Sequence, residues 1–142
     1  MTTDLKPTVL FVCTHNSARS QMAEGLLRAR YGDRFEAASA GTAPGGVNPF
    51  AVQAMADLGI DLSGHTSDHV DAFEGQDFEY VVTVCDNARE ACPYIPATIE
   101  NLHHSFPDPS AATGTDADKL ATFRTVRDQI AVWMDATFGT KA

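Results

Sequence analysis

Val9-Leu10-Phe11-Val12-Cys13-Thr14-His15-Asn16-Ser17-Ala18-Arg19-Ser20 decides how the rest of the chain is read. Its first four residues are apolar, three of them β-branched or aromatic, and predict a short buried strand. The polar run that follows leads into a helical pattern near Ser17, so a strand delivers Cys13 to the mouth of a helix. Five residues separate Cys13 from Arg19. That is enough for a tight loop whose backbone N–H groups, with those of the helix start, turn toward one tetrahedral oxyanion. Thr14, His15, Asn16, Ser17, Ala18 and Arg19 are the expected oxyanion-binding segment. A thiol there is expected to ionise readily, because the helix dipole and the Arg19 guanidinium both favour the thiolate. The planar fork of Arg19 suits two oxygens of a phosphate-like group. Asn16 tolerates a left-handed backbone, and the hydroxyls of Ser17 and Ser20 can donate to thiolate or anion. The plainer alternative makes Cys13 a strand-end core residue and Arg19 a solvated helix residue. The strand before, the helix after and the Ser following the Arg weigh against it.

The remaining chain repeats the strand–helix alternation. A first helix is expected from Ser17 to Tyr31, with Met22, Leu26 and Ala29 on its apolar face and Gly32 just past its end. Phe35–Ala40 predicts a second strand. Asn48 and Pro49 open a second helix with Phe50, Ala54, Met55 and Leu58 inward and Gly59 closing it. A short helix is expected near Asp68–Ala72, and strands at Phe78–Cys85 and Thr98–His104. The last helix, capped by Thr115 or Asp116, carries Leu120, Phe123, Val126, Arg127, Ile130, Trp133 and Met134 at three- and four-residue steps. The expected fold is α/β: one domain over residues 1–142 with a four-stranded parallel sheet and helices on both faces. Ligands of such a sheet bind at the carboxyl ends of its strands, where Cys13 and Cys85 fall.

A chain of 142 residues can bury a substantial core. Its 44% hydrophobic content is spread without a run near the ~18 residues of a membrane span, and the apolar segment behind Pro7 is too short for a signal peptide. The formal charge of −9 argues against nucleic acid or an anionic membrane as partner. Three cysteines, an odd number, suit reactive thiols in a reducing compartment better than a disulfide framework. A cytoplasmic monomer is expected.

Two strand-end cysteines on one rim can approach each other, and Cys92 lies seven residues after Cys85 in a segment, Asp86 to Pro96, able to rearrange. If Cys13 attacks an oxidised tetrahedral centre, Cys85 can displace the reduced product as a Cys13–Cys85 disulfide, and Cys92 can then attack Cys85 and pass the disulfide outward. Thiols reduce arsenic(V) but not phosphorus(V) under biological conditions. Three thiols beside an oxyanion loop therefore point to arsenate. Taken without the Cys13 loop, Cys85 reads more readily as a small buried apolar residue and Cys92 as incidental. Asp108, within Phe106-Pro107-Asp108-Pro109, is a candidate proton donor in a Pro-stiffened loop, although Asp between prolines is also an ordinary turn residue.

The run Val-Cys-Thr-His-Asn-Ser-Ala-Arg-Ser-Gln-Met-Ala-Glu, residues 12–24, resembles the anion loop of the low-molecular-weight tyrosine phosphatase fold, most closely its thioredoxin-coupled arsenate reductase branch. Val-Thr-Val-Cys-Asp-Asn-Ala-Arg-Glu-Ala-Cys-Pro, residues 82–93, resembles that branch's redox segment. The resemblance spans nearly the whole chain. It implies that Cys13 is the nucleophile, that Cys85 attacks the arsenic adduct, and that Cys92 resolves the disulfide for reduction by thioredoxin. It further implies Asp108 as general acid, with Arg19 and Ser20 serving the loop. Ser110 stands where the tyrosine phosphatases commonly carry an aromatic after Asp-Pro, which disfavours a phosphotyrosine substrate. No cofactor is required, but Asn16, Glu24, Ser39 and Asp68 match positions that hold a potassium ion in some relatives, with His65 nearby. Oxygen ligands suit such a hard cation. The pairs His65 and His69, and His103 and His104, read as loop and strand residues rather than a transition-metal site.

Three other readings stay open. An aryl phosphatase would use only Cys13, Arg19 and Asp108. Some relatives draw electrons from a low-molecular-weight thiol such as mycothiol, but generally lack the paired downstream cysteines. A non-enzymatic thiolate module binding arsenite or a soft metal gives no reason for Arg19.

Overall fold

Thr8–Cys13 forms strand β1, buried from Val9 to its end, as befits a strand with a partner on each edge and cover on each face. The computed structural model of the protein describes residues 6–84 and 95–139. β1 pairs in parallel with β2 (Glu36–Gly41) on one side and with β3 (Tyr80–Thr83) on the other. β4 (Glu100–His103) extends the sheet beyond β3, giving the order β2-β1-β3-β4. The chain thus steps from β1 outward to β2 and then back across to β3. Parallel crossovers are right-handed, so this reversal returns the chain to β3 across the face opposite α1, through Val70 and Phe73, and opens a crevice at the carboxyl end of β1.

Helix α1 (Arg19–Tyr31) lies on the first face, with α3 (Asp116–Thr137) and α2 (Pro49–Ala56) packed beside it. Val9 and Phe11 meet Met22, Leu26, Met55, Phe123, Ile130 and Met134 in one cluster. Strand alternation sends Leu10 and Val12 to the second face, where they pack with Val81 and Phe78 and are covered by Val70, Phe73, Ile95 and Ala97. Helical structure therefore covers both faces unequally: three α-helices on one, a 3₁₀ turn at Val70–Phe73 on the other, among the described residues.

The local signals place most boundaries. Asn48 accepts from the Phe50 N–H with Pro49 at the first helical position, and Thr115 caps α3 in a reciprocal box with Asp118. Three expectations shift. α1 begins at Arg19 instead of Ser17, because Asn16 takes a left-handed backbone (φ 48°) and residues up to Ala18 belong to the loop. Leu58 is 42% exposed, because α2 ends at Ala56 and the chain turns back through Gly59 (φ 75°). The short helix expected at Asp68–Ala72 is the 3₁₀ turn two residues later. Arg127, on the inward stripe of α3, is 8% exposed and donates to the Ala54 carbonyl at 2.7 Å. No helix among the described residues is long and apolar enough to cross a membrane.

Candidate active site

The chain leaves β1 at Cys13, turns through residues 14–18 and enters α1 at Arg19. Four successive carbonyls of this loop accept hydrogen bonds from elsewhere in the protein. Thr14 O takes the Ala43 N–H, His15 O those of Gly45 and the Ser67 hydroxyl, Asn16 O the Gln21 amide, and Ser17 O the Asn48 N–H. In a trans peptide the N–H points opposite to the carbonyl, so the N–H groups of residues 15–18 share the other edge of the loop. Ala18, at the cap position of α1, brings no side-chain acceptor to the first turn. That N–H edge is suited to an anion. β2 closes the loop from behind: a Cβ on Gly41 would lie 2.5 Å from Thr14 O and 2.8 Å from Cys13 O, so only glycine fits there.

Cys13 is 2% exposed, and its Sγ lies 2.9 Å from the Ser20 Oγ. The Asn16 Nδ2 donates to that same oxygen at 2.8 Å. The Ser20 hydroxyl accepts from Asn16 with one lone pair and has its proton to offer a Cys13 thiolate. The Asn16 Oδ1 accepts from the Asp68 N–H (2.8 Å) and from the Gln21 Nε2 (3.1 Å). A left-handed residue in a tight loop is thus fixed by its own side chain. Arg19 is 3% exposed; its Nη1 donates to the Phe106 carbonyl at 3.3 Å and its Nη2 lies 3.8 Å from the Asp108 Oδ2. The guanidinium thereby ties the loop after β4 to the Cys13 loop. Asp108 caps the 3₁₀ turn Pro109–Ala111, its Oδ1 accepting from the Ser110 N–H (2.9 Å) and hydroxyl (2.7 Å).

The structure therefore brings Cys13, Arg19, Ser20, Asp108 and the segment Thr14–Ala18 to one rim. Cys85 and Cys92 lie outside the described residues. Val84, just before Cys85, donates its N–H to Val12 O at 2.9 Å and so runs beside the end of β1. Of the residues expected to hold potassium, Glu24, Ser39 and Asp68 line a cavity of about 240 Å³ together with Arg28 and His65, while the Asn16 Oδ1 accepts from the Asp68 N–H. The carboxylates among them already accept hydrogen bonds. Glu24 Oε1 accepts from the Ser39 hydroxyl and Oε2 from Arg28 Nη2, both at 2.5 Å. The Asp68 carboxylate takes the Thr66 hydroxyl. Oxygen donors of this kind suit a hard cation, and the Arg28 guanidinium shares their cavity through its pairing with Glu24. His69 caps the 3₁₀ turn and His104 stacks on Phe106; no group of three His, Cys, Asp or Glu among the described residues is placed to hold a metal.

Gln21, fully buried, and Arg28 were not singled out from the sequence for any role in this site. Arg28 had a signal, since Glu24 and Arg28 are four apart on one helix. Gln21 had none, because its partner Thr66 is distant in the chain.

The family of low molecular weight phosphotyrosine protein phosphatases matches residues 8–135. An arsenate reductase of Halalkalibacterium halodurans is 48% identical over 125 residues, covering 88% of this chain and 90% of the relative. The chain belongs to this family, in its arsenate reductase branch. An arsenate reductase of Bacillus subtilis is 44% identical over 122 residues, 86% of this chain and 88% of the relative. A solved arsenate reductase in the phosphate binding state superposes with a TM-score of 0.79 at 30% identity, covering 96% of this chain and 99% of that one. Membership in the phosphatase family accounts for the parallel sheet and for a Cys-x5-Arg loop at its switch point.

Proposed function

We propose that the protein reduces arsenate to arsenite through Cys13, Cys85 and Cys92, with thioredoxin as the reductant. The observation that carries the reading is the Ser20 hydroxyl beside the sulfur of a buried Cys13, at the start of a loop whose carbonyls from Thr14 to Ser17 are taken by donors elsewhere in the protein. Arsenate enters against that edge and the Arg19 fork. The Cys13 thiolate forms an S–As bond and an arsenate oxygen leaves as water, its proton supplied by Asp108. The Asp108 Oδ1 is engaged by Ser110, so Oδ2 is the oxygen that delivers it. Cys85 then attacks the Cys13 sulfur; the S–As bond breaks with its electron pair staying on arsenic, now arsenic(III), and a Cys13–Cys85 disulfide forms. Cys92 attacks Cys85, freeing the Cys13 thiolate, and the Cys85–Cys92 disulfide receives two electrons from the thioredoxin dithiol. The close relatives named as arsenate reductases support the substrate, and the two further cysteines support the relay.

Arsenate-dependent NADPH oxidation in the presence of thioredoxin and its reductase tests the reading. Cys92→Ser is expected to stop after one turnover, with mass mapping finding Cys13 joined to Cys85. No arsenate-dependent signal from protein with all three thiols free overturns the assignment. Unchanged steady turnover by Cys92→Ser overturns the relay.

A further inference from the structure

The Arg19 guanidinium takes part of its orientation from the chain that follows β4. Phe106 precedes Pro107, which keeps its backbone out of the helical region and so limits where its carbonyl can point. That carbonyl accepts from the Arg19 Nη1 at 3.3 Å, while the Phe106 N–H donates to the Val84 carbonyl at 3.4 Å. Both are long for N–H···O bonds, so backbone contact alone holds the residue loosely. The Phe106 side chain supplies the rest. It is 2% exposed, and its ring is stacked on His104, with centroids 4.4 Å apart and 23° between the planes. Trp133 of α3 meets the Phe106 ring edge-on at 6.1 Å and the His104 ring at 5.9 Å. Three rings, two from the chain after β4 and one from α3, thus clamp the residue whose carbonyl receives the guanidinium.

We infer that His104 and Trp133 are positioning residues for Arg19: they fix the Phe106 ring, the ring fixes the carbonyl, and the carbonyl sets the plane in which the guanidinium meets an anion on the Cys13 loop. A guanidinium offers its donors in one rigid plane, so tilting that plane spoils a two-point grip on an oxyanion without removing any charge. Arg19 is buried, so water does not make good a misdirected donor. The sulfur is held separately. The Ser20 hydroxyl beside Cys13 is anchored by Asn16, and Asn16 by Asp68 and Gln21, none of which touches the three rings. Loosening the clamp is therefore expected to weaken the hold on the anion and to leave the nucleophile as it was.

The inference rests on Arg19 holding the oxyanion but not on arsenate reduction, so inorganic phosphate is the probe and turnover is not read. Cys13 is alkylated with iodoacetamide, which carries no charge, at a pH where the rate has levelled off, and peptide mass mapping follows the modified residue. The phosphate concentration that halves the rate measures anion affinity, and the rate without phosphate measures the sulfur. His104→Ala is expected to need about twofold to tenfold more phosphate, the worth of one aromatic pair, with its phosphate-free rate unchanged. Trp133→Leu is expected to shift the phosphate requirement in the same direction; His104 is exposed, so its variants keep the test available if Trp133→Leu does not fold. His104→Phe, which restores a ring without an imidazole, is expected to return the parent value. Parent-like phosphate protection in His104→Ala overturns the inference. So does an equal loss in His104→Phe, which would assign the effect to the imidazole's charge or hydrogen bonding instead of its stacking. A phosphate-free rate that falls as far as the affinity overturns it too, since the sulfur and not the fork would then have moved. A parent whose Cys13 phosphate does not protect sinks both this inference and the oxyanion loop. If the phosphate results hold while arsenate turnover is absent, the proposed reaction fails and the clamp stands.

Discussion

The two loops that meet at the rim are held in opposite ways. The Cys13 loop is fixed by buried side chains and by backbone donors from residues 43–48, and its key acceptor, Asn16, is fully buried. The Asp108 loop is fixed locally, by two prolines and by an aspartate accepting from a residue two positions on. One is a product of the whole fold and the other of a four-residue turn, joined by Arg19. The contrast teaches that a nucleophile and an acid can share a site while differing in what their loss costs.

Asp108→Asn breaks the comparison most sharply on the kinetic side. It is expected to lower arsenate turnover by about 10²–10⁴, the usual worth of a general acid, while leaving the urea midpoint unmoved. Asn16→Ala tests the other arm. It strands the Asp68 N–H, removes the donor to Ser20 and asks alanine to adopt a positive φ. The expected cost is about 2–5 kcal/mol of stability, read as a lower urea midpoint with the slope preserved. If Asn16→Ala proves as stable as the parent, the buried loop is not held as described. Ser110→Ala sharpens the local arm: removing one of two donors to Asp108 is expected to change turnover by only about tenfold or less, measured as kcat with stability unchanged.

The smallest effect lies away from both loops, where α1 meets α3. The Tyr31 hydroxyl donates to Asp135 at 2.7 Å and Arg30 pairs with it at 2.8 Å. The Tyr31 bond, with help from Arg30, holds the Asp135 carboxyl below its ordinary range, and the same bond raises the Tyr31 hydroxyl. For Asp135 the stabilisation is present above the unfolded pKa of about 3.9 and lost as pH falls through its lowered folded value. For Tyr31 it is present below about 10 and lost as pH rises through its raised folded value. Asp135→Asn is therefore expected to lower Tm by about 1–2 °C at neutral pH, small because the pair is exposed. Its gap to the parent should narrow toward both pH extremes in thermal melts. A constant gap across pH would mean the loss is one of packing.

The same contrast governs what the sequence discloses. β1, the turn after it and the caps of α2 and α3 are legible because each depends on neighbours a few residues apart: alternation, a Pro at a helix start, a Thr three residues before Asp118. Asp108 is legible for the same reason. The network behind Cys13 is not, because Gln21, His65 and Thr66 meet only after β2 and the segment beyond α2 have folded back. The expected cation site illustrates the limit. Glu24, Ser39 and Asp68 do line one cavity, but Arg28, one helical turn along α1, lines it too and pairs with Glu24. Leu58 was expected to face inward because its spacing continues the apolar stripe of α2, and it fails to because the helix ends two residues earlier.

The missing side chain at Gly41 has a further meaning. β2 contributes no functional group to the rim, yet its tip is pressed against the carbonyls of Cys13 and Thr14 with no room for a methyl. The strand acts as a mould, fixing the curvature of the chain that wraps the anion by its own bareness. The shape of the receptor is thus partly written at a position that never meets its guest.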